Sequence, residues 1–511
     1  MMKKKTNILC VITDDQGAWA MGCSGNQEIR TPTLNHIAES GIRFDNCFCV
    51  SPVCSPARTS IFTGKIPSQH GVHDWLAKGY LDSSSLNADL REQCRNPDAP
   101  WYYNWPRTEL SGDTALHYLE NHKTFTEVLA DHGYECGISG KWHMGDSAKP
   151  QAGFSYWQTT ACGAENYMYP VVWENGEMVL KHNHYVTDLI TDNAIRFLDQ
   201  RDTEKPFYLS VHYTAPHSPW AAVHHPEEYI SIYKDCPFES VPNLPHHPWS
   251  PFYGLTLDEW NSKEHKGIRF SRCTYSPANE TLQEYRRESL TGYYAAVTAM
   301  DASLGRILHR LEKDGLLEDT LIIFTSDNGS NMGHHGIWGK GNGTCPVNMY
   351  DTSVKIPALF SCPGRIRPGQ VCHEMVSHYD FYETILDFVG IPFEKQEDMP
   401  GISFAPILTG ECEHVRDSIV VFDEYGPCRM IRSQEWKLVL RYPDGPNELY
   451  HLTEDPGEDN NLYHDPACAE LTASMSAQLR GWFEKYVDPR FDGSKEKVTG
   501  KGQLTSHSFV Q

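Results

Sequence analysis

Short apolar runs alternate with helical patterns along most of the chain, and this alternation predicts the fold class. Runs rich in β-branched and aromatic residues predict strands over residues 8–13, 207–212 and 320–325. Apolar residues at helical spacing predict helices over residues 33–39, 123–133 and 295–311. Because strands alternate with helices, we predict an α/β fold with a large, mostly parallel sheet flanked by helices.

The pattern changes twice along the chain. Between residues 216 and 277 the sequence is rich in Pro, His and aromatic residues, which predicts a long irregular insertion. Short alternating runs at 419–422, 429–433, 436–441 and 448–452 predict a small antiparallel sheet, followed by a helix over 467–486. We therefore predict a main α/β domain over residues 1–412, a C-terminal α+β subdomain over 413–490 and a loosely held tail over 491–511.

The composition disfavours several classes of function. The 511 residues include 44 Lys and Arg against 67 Asp and Glu, which gives a net charge of -23. This charge repels phosphate backbones and anionic lipid surfaces, so nucleic-acid and membrane-surface roles are disfavoured. A bound metal or a local cluster of cations can still hold one small anionic ligand. The 16 cysteines form no CxxC pair and no zinc-like spacing, so a zinc or iron–sulfur site is not expected.

The first residues bear on localisation. A charged start is followed by an apolar run of only five residues, 8–12, which ends at two aspartates without a small-residue cleavage site. This differs from a secretory signal peptide, and no stretch of about 18 uncharged apolar residues is present for a membrane span. We therefore expect a cytoplasmic protein with mostly reduced thiols.

Hard oxygen ligands follow two of the predicted strands. Asp14 and Asp15 come after the first strand, and Asp327 and Asn328 come after the strand at 320–325. The carboxyl ends of parallel strands meet at one edge of a sheet, where ligands of open α/β sheets bind. Three carboxylates and an amide at that edge indicate a site for Ca²⁺, or Mg²⁺. For either pair alone, the alternative is a polar start to a loop.

Two further segments carry candidate chemistry. Cys54 begins a predicted helix, and Arg58 lies four residues later, so the helix start indicates a place for an anion or an activated nucleophile. A buried, inert cysteine is the alternative reading of Cys54 alone. In the second segment, Gly-Lys-Trp-His, Lys141 and His143 are expected to project to the same side of an extended stretch.

Taken together, these motifs resemble the type I sulfatase family, the formylglycine-dependent sulfatases of Cys type, within the alkaline phosphatase superfamily. The resemblance rests on Cys-x-Pro-x-Arg followed by Thr-Gly, on Gly-Lys-x-His, on the two acidic strand ends and on Trp338-Gly-Lys-Gly. The motifs occur in the family's order and spread over most of the first 345 residues, and the C-terminal segment is also similar. Cys136 departs from the family signature, which usually has Ser or Thr there.

The resemblance implies a role for each motif. Cys54 is oxidised to formylglycine by a separate formylglycine-generating or anaerobic sulfatase-maturating enzyme, and its hydrated form is the nucleophile. His143 takes a proton during sulfate release, and His217 protonates the leaving alcohol with Lys340 as helper. Residues implied to hold the metal are Asp14, Asp15, residue 54, Asp327 and Asn328; those implied to stabilise charge on the sulfate are Arg58, Lys141 and Lys340.

Contacts to the rest of the substrate are less specific. His70 matches a family position that lines the pocket, and an aromatic cluster beginning at Trp101 is of the kind that stacks on sugar or aryl rings. Packing or loop hydrogen bonding is the alternative for these residues. The full set of predicted substrate contacts is His70, His73, Asp74, Trp75, Trp101, Trp105, His335 and Arg429.

The sequence therefore predicts an enzyme that hydrolyses a sulfate monoester on a small sulfated mono- or disaccharide, such as a glycosaminoglycan fragment. Alternatives are an aryl or choline sulfatase, a phosphonate or phosphate monoester hydrolase of the same superfamily, and a non-catalytic binder of sulfated ligands that keeps an unmodified Cys54. A homo-oligomer is compatible with the sequence.

Overall fold

The computed structural model describes residues 5–76, 79, 81–82, 88–95, 114–174, 176–250, 253, 282–424 and 427–495. Within these residues the strands are β1 (Asn7–Thr13), β2 (Ile42–Phe48), β3 (Glu135–Gly140), β4 (Tyr156–Thr159), β5 (Val171–Glu174), β6 (Glu177–Leu180), β7 (Phe207–His212), β8 (Thr320–Ser326), β9 (Asn331–Met332), β10 (Trp338–Gly339), β11 (Ala358–Ser361), β12 (Gln370–Ser377), β13 (Ile419–Asp423), β14 (Cys428–Arg432), β15 (Trp436–Arg441) and β16 (Glu448–His451). The α-helices are α1 (Pro32–Glu39), α2 (Cys54–Thr63), α3 (Pro67–His70), α4 (Ala88–Arg95), α5 (Phe125–Asp131), α6 (Val186–Gln200), α7 (Glu227–Tyr233), α8 (Leu282–Lys313), α9 (Asp351–Val354), α10 (Phe381–Val389), α11 (Ala405–Thr409) and α12 (Ala469–Tyr486). None of the helices that the structure describes combines the length and the apolar character needed to cross a membrane.

Eight strands form the main sheet, in the order β12-β2-β11-β8-β1-β7-β3-β4. Strands β8, β1, β7, β3 and β4 run parallel to one another, as do β12 and β2. Strand β11 is antiparallel to both of its neighbours. The predicted α/β fold with a large, mostly parallel sheet is confirmed, and β11 makes the sheet mixed.

The sequence of β1 explains its central place in the sheet. Its seven residues are all buried, which is typical of a parallel strand covered on both faces. Because side chains alternate along a strand, Ile8, Cys10 and Ile12 enter one hydrophobic core while Leu9 and Val11 enter the other. Helices α2, α5 and α10 pack in the first core, and α1, α6 and α8 pack in the second.

Several predicted elements differ from the observed ones at their ends. The helix predicted over 295–311 extends over Leu282–Lys313. The helix predicted over 123–133 is Phe125–Asp131, which begins after Thr124 because this residue and Glu127 form a capping box. Gly133, which follows this helix, has a left-handed conformation with a φ of 86°. Within the insertion predicted as irregular, the described part contains helix α7, so that prediction is wrong there; residues 254–277 lie outside the described residues.

The small C-terminal sheet is confirmed. Strands β13, β14, β15 and β16 pair antiparallel in sequence order. Helix α12 packs beside them, and its Met475, Leu479 and Phe483 belong to the same hydrophobic core as one face of the main sheet. The domain boundary at 412 and the tail over 491–511 stay predictions.

A buried ionic cluster joins the C-terminal sheet to the loops of the main sheet, and its removal tests that connection. Lys437 on β15 is fully buried and donates to Asp351 Oδ1 at 2.6 Å and to Glu458 Oε1 at 2.5 Å. We expect Lys437→Met to lower the free energy of unfolding by about 3–5 kcal/mol, because two carboxylates then lose a buried partner. Urea unfolding followed by fluorescence measures this loss.

The matched control is Lys205→Met. Lys205 pairs with Asp202 at 3.5 Å, but its side chain is 57% exposed. Since exposed ion pairs contribute little, this change is expected to alter stability by less than about 1 kcal/mol. Equal effects of the two substitutions would contradict the role assigned to the cluster.

Candidate active site

The predicted site residues meet at one edge of the main sheet. Strands β8, β1, β7 and β3 are consecutive neighbours and run parallel, so their carboxyl ends lie side by side. Asp14 follows β1, Asp327 follows β8, Lys141 follows β3, and His217 lies on the loop after β7. This is the edge at which open α/β sheets bind their ligands.

The carboxylates form one buried cluster. Asp15 accepts from the side-chain amide of Asn328 at 2.9 Å, and the Asp15 N–H donates to Asp327 Oδ1 at 3.2 Å. Ligand atoms of Asp14, Cys54 and Asp327 all lie within 4.8 Å of one another. Burial, and then the neighbouring Asp14 carboxylate, raise the pKa of Asp327 even though Arg58 opposes the shift. The cluster therefore favours a cation at its centre.

The donor atoms fit a hard divalent cation. Asp14 Oδ1 is buried and has no hydrogen-bond partner within the described part of the chain, so it is available as a ligand. Asp15 has a φ of 63°, which breaks the alternation of side chains along an extended strand and lets consecutive aspartates serve one site. Oxygen donors from Asp14, Asp15, Asp327 and Asn328 are of the kind that Ca²⁺ and Mg²⁺ prefer.

Three buried cations partner the three aspartates, one each. The pairs are Arg58 Nε with Asp327 Oδ2 at 2.8 Å, Lys141 Nζ with Asp14 Oδ2 at 2.6 Å, and Lys340 Nζ with Asp15 Oδ1. These charges balance before any ligand binds. A divalent cation would therefore make the pocket positive, so one small anionic ligand could bind there despite the net charge of -23.

Cys54 lies at the centre of this arrangement, as the first residue of α2, and is only 3% exposed. Burial favours the neutral thiol, but Lys141 and Lys340 together lower the pKa of Cys54 below its ordinary value. Arg58 follows one turn later on the same helix. The start of the helix and the nearby cations favour a negatively charged group at position 54.

Two histidines beside this cluster have different environments. His143 Nε2 lies 3.1 Å from the carbonyl of Leu76 and so carries the ring proton, while Nδ1 has no hydrogen-bond partner among the described residues. Burial, and then Lys141, hold the pKa of His143 well below its usual range, so its Nδ1 is a free base. His217 Nδ1 lies 2.8 Å from the carbonyl of Ser218, and its Nε2 lies 3.7 Å from Asp15 Oδ2.

The prediction that an extended stretch carries both Lys141 and His143 is wrong. Strand β3 ends at Gly140, and His143 has a φ of 55°, which is a left-handed conformation. Gly140 itself has a φ of 111° and approaches the His212 carbonyl closely, so the chain turns here instead of continuing the strand.

Four of the predicted substrate contacts lie at the end of α3 and on the segment that follows it, which leads to the site. His70 is bonded to Ser60 Oγ at 3.1 Å, the ring of His73 lies 6.0 Å from that of Phe491, and Asp74 accepts from the Trp75 N–H. The segment reaches His143 through its next residue, Leu76. Trp101 and Trp105 lie outside the described residues. Direct contact of this group with substrate stays a prediction.

His335 and Arg429 both have protein partners. His335 stacks on Tyr350 with ring centroids 3.8 Å apart. Arg429 donates to Glu424 and to Asp492, both at 2.7 Å, so an anionic ligand would have to compete with two carboxylates. Burial raises the pKa of Glu424 to about 7, although Arg429 opposes the shift. Substrate contacts of His335 and Arg429 stay predictions.

Sequence reasoning missed two buried histidines that support the site. His212 ends β7 and lies 2.7 Å from the Lys141 carbonyl and 3.4 Å from Arg58 Nη1. His378 lies 3.0 Å from the carbonyl of Ser326, the residue before Asp327. Burial lowers the pKa of both rings. His212 could have been found from the sequence, because it ends a strand predicted to belong to the central sheet. No comparable feature of the sequence marks His378 as part of the site.

Buried carboxylates and cations at the carboxyl edge of a mixed sheet form a site for an anionic ligand, and two family models identify the class of protein. The family model described as Sulfatase matches residues 6–391, and the model described as N-sulphoglucosamine sulphohydrolase, C-terminal, matches residues 333–485. The chain therefore belongs to the sulfatase family and is a sulfuric ester hydrolase.

Individual relatives cover nearly the whole chain. The N-acetylglucosamine-6-O-sulfatase of Bacteroides thetaiotaomicron is 29% identical, over 98% of this chain and 90% of that protein. The choline-sulfatase of Rhizobium meliloti is 26% identical, over 94% of this chain and 88% of that protein. A solved structure in complex with its substrate D-glucosamine-2-N,6-O-disulfate superposes with a TM-score of 0.72 and 26% identity, over 96% of this chain and 99% of that one.

Proposed function

We propose that the protein removes the 6-O-sulfate from a small glucosamine-type saccharide, with a formylglycine at position 54 and a bound Ca²⁺. The observation that carries the proposal is the position of Cys54 at a helix start between three buried aspartates and three buried cations. The similarity to an N-acetylglucosamine-6-O-sulfatase, and to a structure that holds a 6-O-sulfated glucosamine, supports the choice of sugar and of position.

Each charged residue has a part in binding and activation. A hydrated formylglycine at position 54 would provide two hydroxyl groups, one as the nucleophile toward sulfur and one whose proton has to be removed before sulfate leaves. Ca²⁺, held by the aspartates and Asn328, would draw charge from the sulfate oxygens. Arg58, Lys141 and Lys340 line the same pocket and stabilise the negative charge on the transferred group without rearrangement.

The two histidines perform opposite proton transfers. The unprotonated Nδ1 of His143 accepts the proton whose loss accompanies sulfate release. His217, on the loop after β7, faces Asp15 with its Nε2 and donates a proton to the leaving sugar oxygen. Lys340, which is paired with Asp15, is its helper. Protonation matters here because a sugar alkoxide is a poor leaving group near neutral pH.

Further parts of the proposal come from the sequence. A maturation enzyme is required to oxidise Cys54, and we place the protein in the cytoplasm, where imported mono- or disaccharides would be its substrates. A choline-sulfatase activity is the second candidate, because the choline-sulfatase relative is 26% identical over 94% of this chain.

The proposed specificity is tested with regioisomers of one sugar. We expect purified protein, co-expressed with a maturation enzyme, to release sulfate from N-acetylglucosamine 6-sulfate at least about 100-fold faster, by kcat/KM, than from the 3-sulfate, because only one ester oxygen can lie between the nucleophile and His217. Ion chromatography measures the released sulfate. Choline sulfate and an aryl phosphonate ester are assayed in parallel, and a preference for either contradicts the proposal.

A further inference from the structure

One short turn of the chain contacts both proton-transferring histidines. We propose that this turn, residues 161–167, is a positioning element that holds His143 and His217 in register with the nucleophile. The inference rests on the proton-transfer roles proposed above. It adds two positioning residues, Gly163 and Tyr167. Both lie at least about twenty residues from either histidine in the sequence.

Gly163 is packed directly against the ring of His143. A Cβ atom added at Gly163 would lie 2.2 Å from His143 Nε2 and 2.3 Å from Cε1, distances at which the ring must move. The same nitrogen, His143 Nε2, is hydrogen-bonded to the carbonyl of Leu76. Close packing against the main chain at Gly163 therefore fixes the position of the ring, and the Leu76 carbonyl fixes its proton on Nε2, which leaves Nδ1 unprotonated.

Tyr167 holds the second histidine. Its hydroxyl donates to the main-chain carbonyl of His217 at 2.8 Å. The Tyr167 ring is 1% exposed, stacks on Tyr185 at 5.6 Å and contacts His225 with ring centroids 4.5 Å apart. Because the Tyr167 side chain is immobilised, its hydrogen bond restrains the backbone of His217, the proposed general acid.

The turn between these two contacts is itself held rigid. Glu165 is 4% exposed, and its two oxygens accept from the N–H groups of Cys162 and Val171, each at 3.0 Å. The carbonyl of Ala161 accepts from Ser147 Oγ at 2.9 Å. The carboxylate therefore closes the turn around Gly163 and ties it to β5.

Substitutions at the two contacts are expected to affect different steps. Gly163→Ala is expected to displace His143 and slow sulfate release. One equivalent of alcohol per active site is then released rapidly, and the steady-state turnover that follows is about 10-fold or more slower than in the wild type. Tyr167→Phe loosens His217 and slows the departure of the alcohol. This second effect is expected to be about 10-fold on a sugar 6-sulfate and less than about 2-fold on 4-nitrophenyl sulfate, whose leaving group needs no proton.

The experiment follows the pre-steady-state and steady-state kinetics of both variants on the two substrates. Matched controls are Gly481→Ala and Tyr169→Phe. Apart from its chain neighbours and its own helix backbone, the Cβ added at Gly481 would meet no atom of the described residues within 4 Å, and the Tyr169 hydroxyl donates to the exposed Asn183. Both controls are expected to behave as the wild type does. Circular dichroism melting verifies that every variant is folded, and Glu165→Gln replaces Gly163→Ala if the latter does not fold.

An independent measurement uses protein that keeps an unmodified Cys54. Nitrogen NMR of the His143 ring is expected to show a proton on Nε2 in the wild type and a changed Nε2 signal in Gly163→Ala alone. Two results would overturn the inference while leaving the sulfatase proposal intact. One is an equal loss of activity on both substrates in Tyr167→Phe. The other is an unchanged His143 signal in Gly163→Ala together with no initial release of alcohol. A wild-type protein that releases no sulfate from either substrate would overturn the proposed function instead.

Discussion

Cys54→Ala is expected to abolish sulfatase turnover while leaving the fold intact. Position 54 supplies the only covalent nucleophile in the proposed reaction, so its loss should lower kcat by at least about 10⁴-fold. The fold is expected to survive because alanine is compatible with the first position of α2 and the change removes only one small buried group. Sulfate release from the 6-sulfated sugar and a thermal melt measure the two properties in one preparation.

Cys49→Ala is the matched control for this change. Cys49 is also fully buried, five residues before Cys54, and it interacts electrostatically with Asp327 and Lys340. Its loss is expected to leave turnover within about 3-fold of the wild type, since it has no part in the reaction. Mass spectrometry of the peptide that contains position 54 is expected to show formylglycine in protein from the native host. Full activity with an unmodified thiol there would exclude the proposed nucleophile.

Much of the fold follows from local sequence because the central strands are continuous apolar runs. Strand β7 matches its prediction to the residue, and β1 and β8 each differ by one residue. The predicted length of helix α8 is too short because its first turns, from Leu282 onward, carry many charged residues and lack a clear apolar face. Helix α7 was missed because it has only seven residues and follows a proline.

The core of the site was predictable for a topological reason. Asp14 and Asp327 follow strands that prove to be neighbours, so the position of each residue in sequence fixed its place at the sheet edge. The contacts that orient these groups were not predictable. The left-handed backbone at His143 and the packing of Gly163 against its ring depend on tertiary structure, and no local pattern encodes them.

Ca²⁺ is expected to stabilise the folded protein, and this effect should depend on Asp14. Without a cation, three buried carboxylates share one small space, and Asp14 Oδ1 is left without a hydrogen-bond partner in the described part of the chain. A ligand at 100 times its dissociation constant adds about 2.7 kcal/mol to the free energy of unfolding. We therefore expect chelation to abolish sulfate release and lower the melting temperature by several degrees, and added Ca²⁺ to restore both.

Asp14→Asn should remove most of this calcium response, because it takes away one anionic ligand oxygen and reduces the attraction for a divalent cation. Asp301→Asn is the matched control. Asp301 is equally buried, but its carboxylate accepts from the N–H groups of Thr33 and Leu34 at the start of α1, away from the strand ends that form the site. That variant is expected to melt at a lower temperature with and without calcium, yet to keep the wild-type shift between the two conditions. A full calcium shift in Asp14→Asn would mean that the cation binds elsewhere, and that the aspartates at the strand ends are balanced by Arg58, Lys141 and Lys340 alone.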